Sequence, residues 1–233
     1  RQAMPKDSLL QATTELLAKF KEIASNEKND TLRLRANWIS NQLIAFGRRI
    51  NIFTGTYGTF DEESKDLFGV VAPAYSEPQF QEWVARLDSL LPGNGEIPVR
   101  FQQLANRFVI PTEKLDTVFR TAIDECRRRT SIHFELPPGE DFTLEYVTDK
   151  PWSGYNWYKG NLFSVIQIAS YSPVYIGSPV GWAAHEGSPR HHVYNILLEQ
   201  NLVKNNGWIE YTVYPLYSPQ SLIAEGTAVI GEE

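Results

Sequence analysis

The spacing of apolar residues changes once along this chain, near residue 140, and that change limits the fold more than any other feature. Before it, four runs place apolar residues three and four apart, the period of amphipathic helices. They are SLLQATTELLAKFKEIA from Ser8, TLRLRANWISNQLIAFGRRI from Thr31, SEPQFQEWVARLDSLLPG from Ser76 and PTEKLDTVFRTAIDECRRR from Pro111. Asp7 or Ser8 is the expected cap of the first. A Ser-x-Pro start and Pro92-Gly93 bound the third, and Pro111 with Thr112 opens the fourth. After residue 140 the texture becomes β-branched and aromatic. FTLEYVT and NLFSVIQIAS read as strands of a small antiparallel sheet over residues 142–148 and 161–169. DKPWSGYNWYKG, between them, is dense in aromatics, glycine and proline. It fits a hairpin whose rings cover a core, and equally the wall of a substrate cleft. The expected fold class is α+β, mainly helical. A single domain over 1–233 is expected, with a helical layer to about residue 140 and an α+β region over 141–233.

Composition narrows the partners. At 233 residues and 42% apolar, the chain can bury a substantial core and is not a disordered segment. Its net charge of -6 argues against a nucleic-acid partner. The arginines 127–129 therefore read as a solvated helix end, where they complement the helix dipole. No run of about 18 apolar residues exists to span a membrane. One cysteine, Cys126, cannot build an internal disulfide framework or a four-cysteine zinc site. The sequence opens on Arg1 and stops at Glu233 inside a predicted helix, so a piece of a longer chain is expected. Without a signal-peptide pattern, a cytoplasmic and an exported protein fit equally.

AAHEGSPRHHVYN, residues 183–195, holds three of the four histidines. The ordinary zinc-peptidase helix carries His-Glu-x-x-His, which puts two histidines one turn apart with the glutamate toward the metal. Here His191 and His192 follow His185 by six and seven residues. Seven residues of straight helix span about 10 Å, too far for two nitrogens that must both sit about 2 Å from one zinc. Either the cluster is no site or the backbone breaks. Gly187 can end one helix, Ser188 can cap the next, and Pro189 suits a first turn. VYIGSPVGWAA reads as a short buried helix that delivers His185 and Glu186. PRHHVYNILLEQNLVK reads as an amphipathic helix stopped near Gly207. A third ligand could come from SPQSLIAEGTAVIGEE, where Glu225 stands among apolar neighbours. A carboxylate on an apolar face is costly unless paired or bound to metal; on a solvent-facing helix it needs no partner.

AHEGSPRHHVYN, LLEQ, YPLYSPQSLIAEGTA and KPWSGYNWYKGN, with FDEESKDLFGV and IDECRRRTSIHFELPPGE, together resemble the bacterial domain of unknown function 885 family. These are presumed zinc peptidases with a His-Glu-x-x-Pro-Gly-His-His motif and a downstream Glu-Gly-x-Ala. The resemblance implies a zinc-peptidase-like fold with a broken active-site helix. It implies His185, Glu225 and one or both of His191 and His192 as ligands of one zinc ion, and Glu186 as catalytic base. The implied activity is metal-assisted hydrolysis of a peptide or other amide. Zinc would activate water and polarise the carbonyl, while Glu186 passes a proton to the leaving amine. Tyr211, Tyr214 and Tyr217 are candidate oxyanion partners, and NLFSVIQIAS is the candidate sheet edge for a substrate strand. The family glycine after the proline is Arg190 here, which would strain a turn needing positive φ. A non-catalytic relative with an incomplete metal site is the alternative.

Overall fold

The computed structural model describes residues 4–230. They divide into two compact units. One holds the residues up to Pro73 together with Ile209–Gly226, and the other holds Ala74–Trp208 and the residues from Thr227 on.

The first unit is helical. α1 (Lys6–Asn26) and α2 (Asp30–Phe53) pack along each other across a short turn, where Asn29 caps α2 by accepting from the Leu32 amide. Of the buried residues on α2, Ala36, Ser40, Gln42, Ala45 and Ile50, three are small and let a neighbouring helix approach. α1 starts at Lys6, behind Pro5, so Asp7 and Ser8 lie inside the first turn and neither caps it. A third helix, α3 (Phe60–Phe68), was not expected from apolar spacing. It opens with a capping box in which the Thr59 and Glu62 side chains each bond the other's backbone, and it ends at Gly69 with φ 79. The Arg48 guanidinium donates twice to Asp66 and ties α2 to α3.

The second unit joins helices to a sheet. α4 (Glu77–Leu90) and α5 (Ile97–Ala105) meet at a turn held by Arg100, which donates to the carbonyls of Asp88 and Pro92 at 2.8 and 3.2 Å. After a 3₁₀ turn at Thr112–Lys114 comes α6 (Leu115–His133), three residues later than the Pro111–Thr112 start predicts. The strands are β1 (Asp141–Val147), β2 (Gly154–Gly160) and β3 (Phe163–Ala169), in the order β1-β3-β2.

The sheet is mixed, not antiparallel. β2 and β3 form an antiparallel hairpin over Asn161 and Leu162, both at positive φ as a primed two-residue turn requires. β1 pairs with β3, in parallel, because the aromatic segment expected between two strands is itself the strand β2. The core lies between this sheet and α6. Ile110, Leu115, Phe119, Ile166, Ile168 and Val174 are buried together, with Phe142, Leu144 and Trp182 packed on them. Trp182 stacks on Phe119 at 5.9 Å and ends α7 (Ser178–Trp182), the short helix that leads into the histidine cluster. α8 (His191–Leu198) follows the cluster, and α9 (Pro219–Ile230) begins in the first unit and runs into the second. The architecture is α+β and mainly helical, and by itself it does not mark a peptidase.

Candidate metal centre

Stacking of Trp182 anchors the end of α7, and Ala183 and Ala184 beyond it are small enough to be buried. The helix then widens into a π turn over Ala183–Gly187, with the Ser188 amide bonded to the Ala183 carbonyl five residues back. Ser188 is extended, the Ser188–Pro189 peptide bond is cis, and α8 starts at His191. The chain thus breaks between Glu186 and His191, although Ser188 does not cap α8 and Pro189 stands outside it. Arg190 has φ -100, so an arginine there meets no positive-φ demand.

The break brings His185 and His191 together. Their Nε2 atoms are 3.2 Å apart, with the rings edge to face at 4.8 Å. Two nitrogens bound to one tetrahedral zinc at about 2.0–2.1 Å stand about 3.3 Å apart. The spacing fits a shared ion.

His192, one position on, is not part of the pair. It is fully buried, its Nδ1 lies 2.8 Å from Ser164 Oγ, and its Nε2 lies 2.9 Å from Glu140 Oε2. With both ring nitrogens engaged in buried hydrogen bonds, His192 has none free to offer a metal. Of the two adjacent histidines, His191 is the one that reaches His185.

Glu186 is 7% exposed and lies against β2. Its backbone carbonyl, freed by the break, accepts from Asn156 Nδ2 at 2.6 Å. Its carboxylate crosses the open face of Gly154, where a Cβ would come within 3.0 Å of Glu186 Oε1. β3 is the central strand, paired on both sides, so it cannot be the edge that receives a substrate strand. β1 and β2 are the edge strands, and β2 is the one whose Gly154 lies against Glu186. Its Tyr158 hydroxyl also donates to Glu199, just after α8. Burial first, then that bond, pushes the Tyr158 hydroxyl well above the usual tyrosine value. The aromatics Trp152, Tyr155 and Trp157 pack on one another in tilted and edge-to-face pairs, with ring centroids 4.6–6.1 Å apart.

Glu225 stands on the exposed side of α9, between the buried Ala224 and Ala228. Ser218 opens that helix as expected, its Oγ accepting from the Ser221 amide at 3.1 Å. The segment leading into α9 is gripped by α2. Arg35 forks onto Glu210 at 2.6 and 2.9 Å, Trp38 packs on Tyr211 at 4.4 Å, and Arg49 covers Tyr217 at 4.0 Å. Of the three candidate tyrosines, Tyr217 is thus occupied by an arginine, Tyr211 by a tryptophan, and Tyr214 reaches Ser221 Oγ at 3.4 Å.

Four residues beside the cluster were not anticipated: Glu140, Gly154, Asn156 and Ser164. Glu140 follows a Pro-Pro-Gly turn and reads as an ordinary loop acid. Arg127, read as part of a solvated helix end, reaches that buried carboxylate, while Arg128 and Arg129 stay exposed and pair with Glu125. In comparisons with known proteins, no family model matches the chain, and no curated protein or solved structure matches it.

Proposed function

We propose that this chain is a metal-dependent hydrolase, a zinc metallopeptidase or related amide hydrolase akin to the family its motifs resemble. His185, His191 and Glu225 hold one ion, and Glu186 is the general base. The observation that carries the reading is the 3.2 Å spacing of the two Nε2 atoms across a broken helix. A second support is the motif resemblance, which implies Glu225 as the carboxylate ligand beside the two histidines. Two imidazoles and a carboxylate are a donor set of catalytic zinc, which leaves one position open. Zinc bound there supplies a Lewis acid and an activated water.

The protein's own groups do the rest. The Glu186 carboxylate accepts the proton of the attacking water and returns it to the leaving amine. Asn156 and Gly154 hold that carboxylate in place, one by a hydrogen bond to its backbone and one by leaving room. β2, the edge strand beside it, can pair with an extended peptide through backbone groups. Metal analysis of the purified protein tests the reading, with one zinc per chain as the expected result. A metal-loaded Glu186→Gln protein should keep its zinc and lose peptide-hydrolysing activity by about 10²- to 10⁴-fold, since the amide keeps the shape and cannot take the proton. A wild-type protein without bound zinc, or a Glu186→Gln variant of full activity, overturns it.

A further inference from the structure

His192 lies outside the paired histidines, yet it is held more completely than either. Its partners come from distant parts of the second unit: Ser164 from β3, and Glu140 from the turn before β1. Glu140 is itself bonded by Arg127 of α6. The Ser164, His192 and Glu140 side chains are all within 3% of full burial. We propose that Glu140 and Ser164 are positioning residues: through His192 they clamp the first turn of α8 and so aim His191 at the metal position. The inference rests on the metal-centre reading above.

The start of α8 explains why a clamp is needed. The residue before it, Arg190, provides no side-chain cap, and an extended segment with a proline precedes it. The first turn of a helix has no intrahelical acceptors for its amides, so its geometry depends on contacts from outside the helix. His191 is the first residue of that turn, so its ring direction follows from how the turn is placed. The turn is fixed instead from residue 192. The Glu140 carboxylate can only accept, so His192 Nε2 carries the hydrogen. Nδ1 then accepts from the Ser164 hydroxyl, and the ring cannot rotate without losing a buried hydrogen bond. Neighbouring helix residues point about 100° apart, so a locked His192 fixes the azimuth of His191. Asn195 adds a bond to the His191 carbonyl at 2.7 Å, within the same helix. An ordinary buried histidine, satisfied but without influence on its neighbour, would show the same bonds. The two cases differ in what happens to metal binding when the clamp is cut.

Ser164→Ala removes one jaw, and Glu140→Gln removes the charge of the other, each with little change of shape. Three quantities are read on the full chain. They are the zinc dissociation constant, the visible absorption of the cobalt(II)-substituted protein, and, without metal, the imidazole N–H signals of its histidines by NMR. In the wild type, His192 should give a slowly exchanging N–H signal from its bond to Glu140. Both variants should lose or shift that signal. Both should bind zinc roughly tenfold to hundredfold more weakly, the cost typical of removing an outer support of a metal ligand. The cobalt bands should shift or weaken while the circular dichroism stays that of the wild type.

Wild-type zinc affinity and cobalt bands in variants whose His192 signal has changed would overturn the clamp and leave the metal centre standing. A wild-type protein that binds neither metal overturns both. The absence of a protected His192 signal in the metal-free wild type overturns the clamp alone. Should Ser164→Ala fail to fold, Glu140→Gln is read by the same three measurements.

Discussion

Gly154 shows how far a single missing atom can matter. It lies in β2 opposite Ile168, and its backbone φ is not in the region reserved for glycine, so alanine can adopt the conformation. Its added Cβ would nevertheless meet Glu186 Oε1 at 3.0 Å and Glu186 Cγ at 3.4 Å. Something must move, and the carboxylate is the freer partner. Gly154→Ala should therefore keep the fold and the zinc while lowering hydrolysis at least tenfold, because misplacing a base by a fraction of an ångström disrupts proton transfer. Steady-state kinetics beside metal analysis checks this. Loss of zinc together with activity would place the glycine's role in folding instead. The sequence shows a glycine in an aromatic strand and nothing of what passes over it. The same holds for the adjacent histidines 191 and 192. Their order along the chain cannot say which one faces His185, since that depends on Ser164 and Glu140, which are 28 and 52 residues away.

Among the elements, the helices were legible where packing follows the helical period, and their ends where a cap is local. The sheet order was not. The pairing of β1 with β3 rather than with β2 is a long-range choice, and strand composition carries no trace of it. The π turn at Ala183–Gly187 was legible only as a conflict between spacing and zinc geometry, which required a break without giving its form. The link from α2 to Glu210 is also invisible in the sequence, and it has a measurable signature. The Arg35 guanidinium holds the Glu210 carboxyl below the usual carboxylate range. A lowered folded value contributes stability that is present above the ordinary glutamate value and is lost as pH falls through the folded one. Glu210→Gln removes the charge and keeps the shape, and it should cost about 1 kcal/mol at pH 7. The difference from wild type should shrink as pH is lowered below about 4.5, toward the point where Glu210 itself is protonated. Urea unfolding at pH 7 and at pH 3 measures both. A gap that widens in acid would contradict the pairing.

At the scale of the whole molecule, α9 has residues in both units, so the chain is covalently one system even where its contacts form two clusters. A ligand that binds the folded chain and not the unfolded one stabilises the folded state by mass action. Zinc at a hundredfold excess over its dissociation constant should add about 2.7 kcal/mol to the unfolding free energy. Thermal unfolding should shift upward by several degrees with zinc and fall back with a chelator, and Glu225→Ala should reduce the shift. A melting temperature indifferent to zinc would remove the site. The first unit has one more property, set by the order of the chain. Arg35 and Glu210 are bonded across a separation of 175 residues. A ribosome adding five to twenty residues each second needs roughly 10–35 s to travel from one to the other. Throughout that interval the newborn α2 presents Arg35 and Trp38 with no counterpart yet made, so the nascent chain must be shielded or simply wait.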